Sequence, residues 1–313
     1  ASFLMLDTEY PGLMADIDPK KIGLSTKRRR QTRPIYRKMA QNGEISWCIA
    51  AYPGEVWAKE LFPGDEAAYQ KLEDAIYKMC MIDRDDPLAS WDEHLEKVNK
   101  IIDVLNGLDL EKLHYSNSLG TNLDVYLPKG YLFASAKDNN VIVNMPSYEV
   151  FASPIYNKTE GIVYSSMPLI YGGALIDKFF IKFSEGRVVD FDAKVGKEVL
   201  KEIIEADSNS CYLGECALVE KTSPINKMNL VFGSTLIDEN ASCHFALGDS
   251  FPECVRDGIG LEDADLLKLG LNVSKTHVDF MIGTADLDIV GTTRSGEEIF
   301  IFKAGVFNPE LMS

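Results

Sequence analysis

Residues 90–107 read SWDEHLEKVNKIIDVLNG, and the change of character on either side of them decides the fold class. Ser90-Trp91-Asp92-Glu93 has the form of a capping box, and Leu95, Val98, Ile102 and Leu105 recur at helical spacing. Gly107 supplies the stop. Upstream, Pro63 to Met81 carries a second helical stripe of Tyr69, Leu72, Ile76 and Met79, preceded by the apolar run Trp47 to Tyr52. Downstream the pattern shortens to strand-like runs at Leu123–Leu127, Tyr131–Ala136 and Val141–Asn144. Farther on, Phe179–Phe183 and Val188–Phe191 flank Ser184-Glu185-Gly186-Arg187 as a hairpin within 174–191. A helix follows with Val195, Val199, Leu200, Ile203 and Ile204 on one face, another short one spans Leu261–Leu269, and Thr276–Ile282 reads as a strand. The fold class expected is α/β, with a partial N-terminal α/β region over 1–107 and a larger mixed α/β domain over 108–313.

Composition narrows the functional classes. A net charge of −16 repels phosphate backbones and anionic lipid, so neither a nucleic-acid nor a membrane partner is expected. The basic run Lys27-Arg28-Arg29-Arg30 is the exception and reads as a solvated loop or helix start. The sequence has no apolar run long enough to span a bilayer, and Ala1 to Tyr10 lack the pattern of a secretory signal, so a cytoplasmic location is expected. Six cysteines without a C-x-x-C pair read as reduced thiols. The sequons at Asn157, Asn240 and Asn272 are then chance matches.

Chemistry-bearing residues are few. Of four histidines, His94 falls on the polar side of its helix and is expected at the surface, and His114 shows no partner in sequence. His277 and Asp279 are different, because residues i and i+2 of a strand project from one face, which sets an imidazole beside a carboxylate. Such a mixture of neutral nitrogen and anionic oxygen suits zinc, cobalt or manganese, while a structural His–Asp hydrogen bond is the plainer alternative. His244 lies in a run of small residues, and Glu149 and Glu215 sit among apolar or small neighbours. Carboxylates so placed are costly to bury unless paired or bound to metal. On residue types alone, a metal centre and satisfied core polar groups both remain open.

Read together, MPSYEVFASP (145–154), GECALV (214–219), STLIDENASCHFALG (234–248) and HVDFMIG (277–283) resemble the aminopeptidase S and aminopeptidase T family of co-catalytic metallopeptidases. The motifs keep the family's order, with 66 residues from Glu149 to Glu215, 29 on to His244 and 33 on to His277. PGEVWA (53–58), DPLASW (86–91) and GTNL (120–123) extend the likeness over essentially the whole chain. The resemblance implies a cytoplasmic homodimeric exopeptidase that removes N-terminal residues from peptides. It also implies two divalent metal ions (Zn, Co or Mn) held by Glu149, Glu215, His244, His277 and Asp279, with Glu215 the candidate bridge, and a water activated between the metals as nucleophile.

Two departures accompany it. The family places a tyrosine seven residues after the histidine of its H-x-A-L-G motif, where this chain has Phe251. The ring is kept and the hydroxyl lost, so a catalytically impaired metal- or peptide-binding relative is the alternative to an active enzyme. A hydrolase of another amide is a further rival, and the absence of G-x-S-x-G argues against a serine hydrolase. Family chains also carry flavodoxin-like sequence before the point at which Ala1 stands, so the 1–107 region is expected to be only part of that unit. Sequence neighbours Asp238 and Glu239 are expected to serve a loop or a cap rather than the centre.

Overall fold

The computed structural model describes residues 2–10, 44–138 and 141–312, with scattered positions between 11 and 43. The basic run at 27–30 lies outside the described residues except for Arg28. The architecture is mixed α/β. Among the described residues four sheets are present: a parallel one of Ser2–Asp7, Ser46–Ala51 and Asn144–Met145, a nine-stranded antiparallel one, a four-stranded antiparallel one, and a two-stranded ribbon of Lys137–Asp138 and Val141–Ile142. Among the described residues no helix is long and apolar enough to cross a membrane.

The long helix Pro87–Gly107 begins one turn before the capping box. Asp86 caps it through its side chain, accepting from Ala89 N at 3.0 Å, and Pro87 occupies the first turn. Proline's fixed φ and missing N–H suit that turn, so Asp86-Pro87 outcompetes Ser90 for the start, and the Ser90 hydroxyl donates to the Asp86 carbonyl instead. Its buried face is Trp91, Val98 and Leu105. The preceding helix covers Ala68–Met79 rather than starting at Pro63, and buries Leu72, Ile76 and Met79 against Trp57, Ile225, Phe232 and Ile237. Tyr69, expected in that stripe, is exposed.

The large sheet runs from Leu169–Tyr171 through Ala174–Ser184, Glu160–Tyr164, Asn122–Tyr126 and Leu110–Ser116 to Asp288–Thr293, Glu298–Lys303 and Val306–Phe307, with Arg187–Val195 on Ala174–Ser184. The expected hairpin is present, but its second strand runs on to Val195, and the following helix starts only at Lys197. Residues 131–136 contribute only two isolated bridges, Tyr131 to Val255 and Ala134 to Phe151.

The core that supports the site lies between the large sheet and the four-stranded one. Tyr115 packs edge-on against Phe245 at 4.9 Å between centroids, and Phe179 meets Phe280 at 5.8 Å. Val98 and Leu105 of the long helix join the same cluster with Leu113, Leu123 and Val125. Two stacked inner faces with alternating inward residues are the usual way for a sheet to bury one side and leave the other free for chemistry.

Candidate metal centre

The four-stranded sheet is ordered His277–Met281, His244–Gly248, Leu213–Leu218, Val150–Ala152. Its register aligns Asp279 with Ala246, His277 with Gly248 and His244 with Met281. On the other side Ala246 aligns with Glu215 and His244 with Ala217, after a register shift between Leu213 and Glu215. Paired residues share a face, so His277, Asp279, His244 and Glu215 all project to one side, and Val278, Phe280, Phe245, Leu247 and Cys216 project to the core. Glu149 enters the same side, two residues before Phe151, which aligns with Ala217. The small residues Ala246, Gly248 and Ala217 stand between these polar side chains and leave them room.

All five residues singled out in the sequence are therefore brought together. They form two groups of potential ligand atoms, Glu149–Glu215–His244 and Glu215–His277–Asp279, with the atoms of each group within 4.8 Å of one another. Glu215 belongs to both. His244 Nε2 lies 3.1 Å from Glu149 Oε2, while His277 Nε2 lies 3.0 Å from Glu215 Oε2 and 3.2 Å from Asp279 Oδ1. The opposite nitrogens are both occupied by backbone: His244 Nδ1–H donates to the Ser242 carbonyl at 3.0 Å and His277 Nδ1–H to that of Asp249 at 2.7 Å. Such bonds fix ring orientation and tautomer and leave Nε2 to face the carboxylates, as metal-ligating histidines require.

Electrostatics point the same way. Burial pushes Glu215 up to about 7, only partly opposed by its bond to His277. Burial would lower His244, yet its bond to Glu149 and the nearby Glu215 and Asp279 charges raise it to about 10. His277 is likewise lifted well above the ordinary imidazole range by Asp279 and Glu215 against the pull of burial. Asp279 is held below its usual value although burial opposes this, because His277 and His244 favour its charged form. Among the described residues no Lys or Arg is ion-paired with these carboxylates. A concentration of buried anionic oxygen and imidazole with no Lys or Arg counter-charge fits a divalent metal.

One residue of the site escaped sequence reading. Glu239, at the start of the 3-10 turn Glu239–Ala241, is buried, and burial with the nearby Glu149, Asp279 and Glu215 charges holds its carboxyl well above the ordinary range, His244 opposing. Its Oε1 accepts from Asn144 Nδ2 at 3.2 Å and Asn240 Nδ2 at 3.4 Å. A glutamate five positions before His244, in a segment otherwise of small residues, is the signal that could have found it. Asp238 does serve the loop, accepting from Phe232 N and Gly233 N.

The remaining histidines depart from expectation. His94 is partly buried, its Nε2 2.9 Å from the Ser147 carbonyl and its ring between Trp91 and Tyr148, because the polar side of its helix faces the 146–149 loop. Burial lowers its pKa. His114 finds a cross-strand partner in Asp124 at 2.8 Å, which single-strand reading could not show. Phe251 lies beside the centre, its ring centroid 5.0 Å from that of His277 and 5.0 Å from that of Phe151.

The family model for thermophilic metalloprotease (M29) matches residues 1–307. Aminopeptidase 2 of Geobacillus stearothermophilus is 38% identical, over 99% of this chain and 77% of that protein. Aminopeptidase AmpS of Bacillus subtilis is 38% identical, over 97% of this chain and 76% of its own length. The structure of wild-type AmpT from Thermus thermophilus superposes with a TM-score of 0.88 at 30% identity, covering 98% of this chain and 76% of that one.

Proposed function

Because the chain belongs to the thermophilic metalloprotease family M29 and is a metallo-aminopeptidase with a divalent metal cofactor, we propose that it removes N-terminal residues from peptides at a two-metal centre. In this reading Glu149, Glu215 and His244 hold one ion, and Glu215, His277 and Asp279 hold the other. The observation that carries it is the membership of Glu215 in both ligand groups, which suits a bridging carboxylate. When bound, a pair of divalent cations supplies polarisation of the scissile carbonyl, an anchor for the free amine and a water of lowered pKa.

The chain's own residues do the rest. Ser242 and Asp249 carbonyls aim the two imidazoles through their Nδ1–H groups. Glu239 is the proton carrier in this proposal: Asn144 and Asn240 hold its Oε1, and with divalent cations beside it to favour its charged form, Oε2 would take the proton of the attacking water and return it to the leaving amine. Phe151 and Phe251 give the His277 side an apolar border. The donor set of two imidazoles and three carboxylates suits zinc, cobalt or manganese. A cytoplasmic homodimer remains part of the proposal, on the family resemblance.

Elemental analysis of the purified protein, paired with an aminopeptidase assay after reconstitution with each metal, tests this reading. Two ions per chain with restored cleavage support it; metal binding without cleavage would instead favour the impaired relative. His277→Ala and Glu215→Ala should each lose metal and turnover, and wild-type hydrolysis by either would sink the ligand assignment.

A further inference from the structure

The side chains of the centre are not equally accessible. Exposure is 1% at His244 and 5% at Glu149 and Glu215, but 18% at His277 and 12% at Asp279. Access is therefore greatest on the His277 side, and the partly buried ring of Phe251 borders it. That ring stands edge-on to the His277 imidazole, 63° between planes, and is backed by Phe151, Ala134, Ala217 and Cys254. It is also well anchored, since Phe251 N donates to Ser153 Oγ at 2.9 Å and its carbonyl accepts from Cys254 N at 3.0 Å. This cluster presents no charged side chain, and its Cys254 thiol is engaged with Ser153.

A peptide whose first carbonyl reaches the centre carries its first side chain only one bond beyond the adjacent Cα. On the more exposed side of the centre, the apolar surface beside His277 is the Phe251 ring. Resting on the aminopeptidase reading above, we infer that Phe251, backed by Phe151, forms an apolar subsite for the N-terminal side chain, so that the enzyme selects peptides with an apolar or aromatic first residue. An anionic first residue would lose water against rings that return nothing for it, and a cationic one would regain only a weak cation–π attraction. The missing ring hydroxyl has a use in these terms, since a hydroxyl at this position would put a polar group on the wall. Phe251 is here a specificity-determining residue.

The test uses the full chain reconstituted with Zn²⁺, Co²⁺ or Mn²⁺ and the p-nitroanilides of Leu, Phe, Lys and Glu, which share one leaving group. The expected kcat/KM for Leu and Phe exceeds that for Lys and Glu by roughly tenfold or more. Phe251→Ala should bring that ratio toward one, mainly through KM on the apolar substrates, with metal content by elemental analysis unchanged. Phe251→Leu, which keeps an apolar surface, should preserve the preference. Competitive inhibition of the wild type by free leucine but not by free lysine supports the same subsite without any variant. A flat or charge-preferring wild-type profile, or an unchanged ratio in Phe251→Ala, overturns the inference and leaves the aminopeptidase reading standing. Failure to cleave any of the four substrates overturns both.

Discussion

Loading the metal-free protein with divalent cations should release protons, and the structure sets how many. Without metal, each candidate imidazole donates from both nitrogens, Nδ1–H to a backbone carbonyl and Nε2–H to a carboxylate. A cation can occupy the Nε2 position only after that proton leaves. His244, raised to about 10 through Glu149 and its acidic neighbours against the effect of burial, is almost wholly protonated at pH 7. His277 is raised well above the ordinary range and adds a second proton. Glu215, raised to about 7 by burial, adds on the order of half a proton at pH 7. The sum is about 2.5 protons per chain, a lower bound because Glu239 also feels the added cations. The sign follows from these shifts: as pH rises through about 7 Glu215 ionises and the count falls, and toward pH 5.5 Glu215 holds its proton and the count rises by on the order of half a proton. Apparent affinity near pH 7 should accordingly strengthen by about two to three orders of magnitude per pH unit. Calorimetric titration with Zn²⁺ or Mn²⁺ in two buffers of different ionisation enthalpy measures the count directly. His277→Ala should lower it by about one, if metal still binds at the remaining group. A release below about one proton per chain, or one unaffected by either histidine, would refute the two-imidazole assignment.

Glu239→Gln keeps the volume and the bonds to Asn144 and Asn240 within reach, so metal content should persist while kcat falls about 10²–10⁴-fold; unchanged kcat in steady-state assays would remove Glu239 from proton transfer. Gly214→Ala would set a Cβ 2.1 Å from the Asp249 carbonyl oxygen and 2.4 Å from that of Gly248, both backbone. The strand shift that aims Glu215 could not survive that contact, so both melting temperature and bound metal should drop, as calorimetry and elemental analysis would report. Asp86→Ala removes the side-chain cap of the Pro87–Gly107 helix and should cost about 1 kcal/mol in denaturant unfolding with little change in kcat/KM.

Much of this was legible in the sequence because strands and helices impose fixed periods. The i, i+2 spacing of His277 and Asp279 states their shared face outright, and the order of the four motifs carries the other three residues. What sequence could not show depends on neighbours distant along the chain. Glu239 reads as a cap residue until the fold sets it among Glu149, Asp279 and His244. His114 waits for a strand alignment to supply Asp124. The helix start moved to Asp86 because two capping signals compete within one turn, and local pattern alone does not rank them. Val195 fits the helical stripe in sequence yet ends the strand Arg187–Val195, since an apolar residue at a strand–helix junction satisfies both periods.

The alternation within His277–Met281 also limits how such a site can change. Slipping this strand by one position against His244–Gly248 would turn Val278 and Phe280 toward the catalytic face and drive an imidazole and a carboxylate into the aromatic core. No partial slip yields a partly working centre. A single-residue insertion here is therefore a binary event, whereas substitution at Phe251, on the loop that borders the centre, is graded. Variation that retunes the enzyme has room at the rim and almost none in the register beneath it.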